Sequence, residues 1–294
     1  MTQTETWTVK RLLEWTTDFF QQKGIESARL EAEILLAAAL KVKRIELYTN
    51  FETIPGEAKR AVFRDYVKRR GIGEPVAYLV GFKEFYSLTF SVDRNVLIPR
   101  PETEQLVLEA VDWQKSLPDG AAVDICDVGT GSGAIAITIA KHRPKVLGTL
   151  SVWAVDVSRA ALSVAEENAK THGVDIRFVE SDLLAAVSGP FDLIVSNPPY
   201  ISVTEYESLA DEVRNFEPRL ALLAGPAGTE VLERLLVEAS AKLKPGGRLL
   251  LEISPMIADR VLTLFGNDWS DVSLLNDLAE RPRIVSAIRK ISMP

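Results

Sequence analysis

The chain has 294 residues, 47% of them hydrophobic and 26% charged, with a formal net charge of −7 at pH 7. That length suits two domains rather than one core, and the mix is that of an ordinary globular protein. The acidic balance argues against a protein whose main work is gripping nucleic-acid backbone, because phosphate contacts need a cationic surface.

The charge is uneven. Residues 1–100 hold 16 Lys and Arg against 13 Asp and Glu, whereas the remainder holds 18 against 28. Cys126 is the single cysteine, so no intrachain disulfide can form, and a reducing cytoplasm is the predicted setting. The first thirty residues carry acids and no uninterrupted apolar run, which predicts no signal peptide. No apolar stretch of about 18 residues predicts a membrane span.

The front of the chain reads as helices. Val9, Leu12, Leu13, Phe19 and Phe20 recur on one helical face, and Ser27 can cap a second helix carrying Leu30, Ile34 and Leu35. A third helix is predicted after Pro55-Gly56, ending at Lys68-Arg69-Arg70-Gly71, with Ala61, Val62, Tyr66 and Val67 available to pack. The basic end of this helix suits the helix dipole. Together these segments predict a helical domain over residues 1–80.

The texture changes near Glu74-Pro75. Phe85 to Val92 is rich in strand formers, and Asp93-Arg94-Asn95 separates it from Val96-Leu97-Ile98. The pattern predicts a hairpin linker over residues 81–98. Pro99 and Pro101 bracket Arg100, and a helix is predicted from Glu102 to about Trp113.

From Val123 onward strands and helices alternate. Strands are predicted at 123–128, 150–156, 175–179, 191–196, 247–253, 269–275 and 283–289. Helices are predicted at 133–142, 158–171, 228–243 and 255–265. The alternation implies a mainly parallel, Rossmann-like sheet covered on both faces, a domain of residues 99–294.

Ligands of open α/β sheets bind beyond the carboxyl ends of the strands. The first strand of this sheet runs into Gly129-Thr130-Gly131-Ser132-Gly133, where glycines allow close backbone approach and a helix start offers free N–H groups. The spacing is GxGxG, whereas a dinucleotide pyrophosphate loop usually reads GxGxxG. Asp156, at the tip of the second strand, suits hydrogen bonds to both ribose hydroxyls of an adenosyl group. Its alternative role, helix capping, can be filled by Ser158. After the third strand Asp182 can accept from an adenine amino group while Leu183 lies against the ring.

The fourth strand leads into Asn197-Pro198-Pro199-Tyr200. Two consecutive prolines fix φ and remove two backbone donors, leaving carbonyls as the main-chain hydrogen-bonding groups. The Asn197 side-chain oxygen and the Pro198 carbonyl can both accept from one NH2 group, and Tyr200 can stack on the planar group that bears it. Such a clamp predicts methylation of an amide or amine nitrogen, driven by orientation and charge placement and requiring no metal. His142 and His172 fall at predicted helix ends, and Cys126 lies inside a strand, so surface and packing roles are predicted for them.

With these residues in place, the chain resembles the release factor glutamine methyltransferases, the PrmC/HemK family. The resemblance rests on Gly73-Glu74-Pro75 with Tyr78 and Gly81, on Glu84-Phe85, and on Leu97-Ile98-Pro99-Arg100-Pro101-Glu102-Thr103-Glu104. It continues through the Gly129–Gly133 loop, Asp156, Asp182, Asn197–Tyr200, Phe216-Glu217-Pro218, Ala224-Gly225 and Lys244-Pro245-Gly246-Gly247.

The resemblance implies a helical, release-factor-binding N-terminal domain, a β-hairpin linker and a class I S-adenosyl-L-methionine-dependent methyltransferase domain. It implies N5-methylation of the glutamine in the Gly-Gly-Gln motif of class 1 peptide chain release factors. Gly129, Thr130, Gly131, Ser132, Gly133, Asp156, Asp182, Leu183 and Asn197 would then hold S-adenosyl-L-methionine. Asn197, Pro198, Pro199 and Tyr200 would hold the glutamine, with Asn197 and Pro198 as the catalytic acceptors. Members often carry an aromatic where Leu183 stands.

Two alternatives remain open on the residues. A related family that methylates a large-subunit ribosomal protein shares the NPPY tetrapeptide but typically has PRSP-type residues in place of Arg100-Pro101-Glu102. A DNA adenine-N6 methyltransferase also fits NPPY, but it normally has a basic target-recognition region, and none is visible here. No direct nucleic-acid or membrane partner is predicted.

Overall fold

The computed structural model describes residues 6–291, which divide into two compact units. The first runs to Gly81 and includes Asp211–Phe216; the second comprises the rest from Phe82 onward.

The first unit is helical: α1 (Val9–Gln22), α2 (Ala28–Leu40), α3 (Arg44–Thr49), α4 (Glu57–Arg70) and α5 (Val76–Val80). Thr8 opens α1, its hydroxyl accepting from Arg11 N at 3.3 Å. The predicted stripe of α1 holds in part: Val9, Leu12, Leu13 and Phe20 are buried with Thr16, while Phe19 sits at the edge of the core, stacked on Trp15.

Two packing expectations hold only in part. In α2 the core positions are Ala32, Leu35, Leu36 and Ala39, and Leu30 is exposed. In α4 Val67 is buried and Tyr66 packs at the core edge as expected, but Val62 is exposed and Phe63, four residues from Val67 on the same helical face, takes its place. Ser27 stands at the α2 N-cap but its side chain makes no capping bond. The basic end of α4 is not only a dipole feature. Arg70 is buried, with its guanidinium on the Glu31 carboxylate at 2.5 Å and on Glu212 at 2.8 Å, so one cation ties α2 and α4 to the Asp211–Phe216 segment.

The second unit begins with a hairpin, β1 (Phe82–Phe85) and β2 (Leu88–Ser91). The sequence places the turn at Asp93-Arg94-Asn95, and that expectation is wrong. The chain reverses at Tyr86-Ser87, both with positive φ (49° and 60°), and Val96-Leu97-Ile98 forms no strand. Paired left-handed residues match the twist of a two-residue hairpin, a conformation neither residue type advertises. Phe85 and Phe90 enter the core of this unit, and Asn168 grips Ser91 through N–H and C=O at 2.8 and 3.0 Å.

There follow α6 (Thr103–Lys115), β3 (Val123–Val128), α7 (Ala134–Lys141), β4 (Leu150–Asp156), α8 (Arg159–His172), β5 (Arg177–Glu180), β6 (Phe191–Ser196), β7 (Ile201–Ser202) and α9 (Val203–Glu207). The helix α10 (Asp211–Phe216) belongs to the first unit. Beyond it come β8 (Leu223–Gly225), α11 (Glu230–Lys242), β9 (Leu243–Glu252), α12 (Ala258–Thr263), β10 (Trp269–Asn276) and β11 (Pro282–Arg289).

Seven strands form one sheet in the order β10-β11-β9-β6-β3-β4-β5, parallel from β9 to β5, with β11 and β10 antiparallel. Both faces are covered, so the inner strands read as mainly apolar runs rather than alternating ones. Ile125, Leu193 and Leu250 join the core shared with α6 and α7; their neighbours Cys126, Ile194 and Leu249 join the core shared with α11 and α12. Strand order reverses beside β3, where β4 lies on one side and β6 on the other. The crevice at such a switch point is where ligands of open α/β sheets bind.

Candidate active site

Beyond the carboxyl ends of β3, β4 and β6 lies a cavity of about 410 Å³, within the range of small-molecule sites. Gly129 and Gly131 form part of its wall, with φ of 72° and 56°. A Cβ added at either would meet no atom within 4 Å, so the backbone there is bare toward open space. That leaves room for a ligand to lie directly on the main chain.

The loop is held from beneath by two acids. Asp127, fully buried, accepts from the Thr130 hydroxyl at 2.6 Å and from Ala136 N at 3.2 Å. Its other oxygen, Oδ1, has no hydrogen-bond partner, and burial pushes the carboxyl up to about 7. Asp156 accepts from Gly131 N through Oδ2 and from Ser158 N through Oδ1, both at 2.9 Å. Burial raises its pKa above the usual carboxylate range, against the pull of those backbone N–H groups. Ser158 itself caps α8, accepting from Ala161 N at 3.2 Å, which leaves Asp156 to the loop and the cavity.

The other residues expected around a cofactor separate into two sets. Asp182, Leu183 and Asn197 line the cavity with Gly129, Gly131 and Asp156. Thr130, Ser132 and Gly133 are buried and are not among the lining residues. Thr130 bonds Asp127, the Ser132 carbonyl accepts from Asn168 at 2.9 Å, and Gly133 opens α7. Asp182 is ion-paired to Arg234 at 2.7 Å on the rim. Leu183 has a positive φ of 49°, which aims the chain at this point between β5 and the loop that follows.

Asn197, Pro198, Pro199 and Tyr200 leave the tip of β6. Ser196 pins that tip to β3, its hydroxyl donating to the Val128 carbonyl at 2.7 Å. Asn197 and Pro199 line the cavity, Pro198 is buried, and Tyr200 packs against the α11/α12 core. Burial pushes the Tyr200 phenol up to about 12, so it remains neutral. The Asn197 amide donates through Nδ2 to the Thr103 hydroxyl at 3.1 Å. Glu252, ending β9, is buried, which pushes its carboxyl up to about 7, and the Thr103 and Asn197 side chains lie beside it.

Several of these participants escaped the sequence reading. Asn95, Val96 and Leu97 line the cavity, as do Pro218, Leu220, Ala221 and Arg234. The Phe216-Glu217-Pro218 motif carried a signal without a role. In the fold, buried Glu217 accepts from Ile98 N at 3.2 Å and pairs with the Arg100 guanidinium. Glu104 accepts from Tyr86 N at 2.9 Å, and Thr103 reaches Asn197. The Ile98–Glu104 segment is therefore a brace between hairpin, cavity wall and NPPY tetrapeptide. His142 and His172 contact the hairpin at Tyr86 and the Thr89 carbonyl, and Cys126 is buried within β3.

Comparison with known proteins follows the same lines. The release factor glutamine methyltransferase of Rhodopirellula baltica is 51% identical over 287 residues, covering 95% of this chain and 96% of the relative. The chain belongs to the release factor glutamine methyltransferase family. A second member, from Chlorobaculum tepidum, is 42% identical, covering 98% of this chain and 99% of its own. The family description "PrmC N-terminal domain" matches residues 11–81, and "Methyltransferase small domain" matches residues 105–213. A T. thermophilus 16S rRNA N2 methyltransferase, solved with AdoMet and guanosine, is 21% identical with a TM-score of 0.50, covering 71% of this chain and 50% of its own. That likeness is one of fold: the second unit of this methyltransferase has the class I S-adenosylmethionine-dependent architecture.

Proposed function

We propose that this methyltransferase uses S-adenosyl-L-methionine to methylate N5 of the glutamine in the Gly-Gly-Gln motif of class 1 peptide chain release factors, in the cytoplasm. One observation carries the reading. The glycine loop with Asp156 and the first residues of Asn197-Pro198-Pro199-Tyr200 open onto the same cavity. The names of the relatives support a release factor over a ribosomal protein as substrate.

The residues present fit the donor. The bare backbone at Gly129 and Gly131 and the Asp156 carboxylate would take its adenosyl portion, with Asp182 and Leu183 near the base. When bound, S-adenosyl-L-methionine supplies a sulfonium methyl as electrophile. An amide nitrogen is a poor nucleophile because its lone pair is delocalised into the carbonyl. The Asn197 oxygen and the Pro198 carbonyl, accepting from its two N–H bonds, raise electron density on nitrogen and fix its direction. Transfer would form one C–N bond as the methyl C–S bond breaks to leave a neutral thioether, and would release one N–H proton, a loss that acceptors already on those protons suit. Tyr200, neutral and anchored in the core, offers its ring to the planar amide. The helical unit is the candidate binding module for the release factor, and the chemistry calls for neither metal nor nucleic acid.

Incubation with labelled S-adenosyl-L-methionine and a class 1 release factor, followed by peptide mapping, tests the assignment. Label should appear on the Gly-Gly-Gln glutamine; its absence there would sink the substrate. Asn197→Ala should abolish transfer while retaining substantial cofactor binding by calorimetry, and full activity in that variant would refute the acceptor mechanism.

A further inference from the structure

Glu252 is a buried acid for which transfer itself has no evident use. It is 1% exposed, and its Oε2 has no hydrogen-bond partner. Leaving a carboxyl oxygen unpaired in the interior forfeits its hydration without replacement, so its position calls for a reason.

Strand register supplies the geometry. Ser196 of β6 pairs with Leu251 of β9, so the next residues along these parallel strands, Asn197 and Glu252, stand side by side at the strand tips. Glu252 alternates with Leu251 and so shares a face with Leu250, which belongs to the core beneath α6. Thr103, the first residue of α6, is buried: its hydroxyl accepts from Asn197 Nδ2 at 3.1 Å, and the Glu252 carboxyl lies near it. The Asn197 amide is the other polar side chain beside Glu252.

The donor inventory then decides the orientation of Asn197. A primary amide has two N–H donors and one carbonyl oxygen. At the assay pH of 8 the Glu252 carboxyl is ionised and offers only acceptors, and the Thr103 hydroxyl oxygen already accepts from Asn197 Nδ2. Both partners behind Asn197 thus demand its nitrogen, and the carbonyl oxygen has to face the other way. An amide flipped by 180° would break the Nδ2 bond to Thr103 and set its oxygen against the carboxylate.

We propose that Thr103 and Glu252 are positioning residues that hold the Asn197 amide in one of its two flip states, with Oδ1 presented to the nitrogen to be methylated. The inference rests on the functional reading above and deepens it. It also gives the Pro99–Glu104 segment a role beyond starting a helix. That segment delivers the hydroxyl that determines which end of Asn197 meets the substrate.

The test uses the full-length enzyme and three variants. Thr103→Val keeps shape and removes the hydroxyl, Thr103→Ser restores it, and Glu252→Gln replaces the pure acceptor with a group that can also donate. Methylation of a release factor is followed at pH 8 in parallel with S-adenosyl-L-methionine binding by calorimetry. Thr103→Val and Glu252→Gln should lose roughly tenfold to a hundredfold in kcat, the scale of supporting-residue effects, with the cofactor dissociation constant within about twofold and Thr103→Ser close to wild type. A second readout needs no substrate. In 15N-labelled protein, the Asn197 side-chain protons, assigned by their loss in Asn197→Asp, should exchange with solvent at least about tenfold faster in Thr103→Val.

A Thr103→Val enzyme with kcat within twofold of wild type, or a Thr103→Ser enzyme as impaired as Thr103→Val, would overturn the proposal. So would unchanged exchange of the Asn197 protons. Wild-type protein that leaves the release factor unmethylated while the exchange result holds would defeat the substrate reading alone.

Discussion

Asp127 offers a direct measure of how the glycine loop is held. Its carboxyl is fully buried, carries one unpaired oxygen and titrates near 7 instead of its ordinary 3.8. In the unfolded chain this group ionises as pH rises past about 4; in the folded protein it keeps its proton until about 7. Between those values the native state binds one more proton than the unfolded state, so stability falls as pH rises through the window and levels off above it. The slope is about 1.4 kcal/mol per pH unit, or about 3 kcal/mol from pH 5 to the plateau near 7. Asp127→Asn has no such titration and keeps a carbonyl acceptor for Thr130 and Ala136. Equilibrium urea unfolding of wild type and variant at pH 5 and pH 8 gives the difference between them at each pH. Glu252, another buried acid raised to about 7, is present in both proteins and cancels. The variant should gain about 3 kcal/mol on wild type between pH 5 and pH 8. A gap that stays constant within about 0.5 kcal/mol would refute the reasoning that burial keeps this carboxyl protonated.

Gly133→Ala and Gly173→Ala separate backbone strain from crowding. Both positions have positive φ, but an added Cβ at Gly133 lies 2.7 Å from Ile137 Cδ1, and at Gly173 it meets nothing within 4 Å. Each should lose about 1–2 kcal/mol to the left-handed backbone, and Gly133→Ala about 1–3 kcal/mol more to overpacking; equal losses in urea unfolding would contradict this. Asp156→Ala removes an acceptor that holds Gly131 N and lines the cavity. Calorimetric affinity for S-adenosyl-L-methionine should fall tenfold to a hundredfold, on the order of one to two charged hydrogen bonds, and an affinity within twofold of wild type would remove Asp156 from the cofactor site.

Much of the second unit was legible in the sequence, for reasons that can be named. The runs at 123–128, 150–156 and 191–196 are mainly apolar because both faces of the sheet are covered, and the observed strands match them residue for residue. Where burial is one-sided the signal weakened. β5 begins at Arg177 rather than at residue 175, and β9 starts four residues early, at Leu243, because the Lys244-Pro245-Gly246-Gly247 turn extends the strand. The hairpin was misread because the positive φ of Tyr86 and Ser87 is imposed by packing of Phe85 and Phe90 into the core. The core of α4 was misread because a mostly polar helix gives little period to follow, so Phe63 was passed over.

By itself the sequence determined the alternating architecture, the strand tips at Gly129, Asp156 and Asn197, and the chemistry of a nitrogen clamp. These are properties of residue type and order along single elements. Only the tertiary structure decided which loop residues face the cavity, that Arg100 pairs with Glu217, and that Thr103 and Glu252 stand behind Asn197. Those partners lie between 55 and 149 positions apart. Nothing in their local sequence records that parallel register and the start of α6 bring them together.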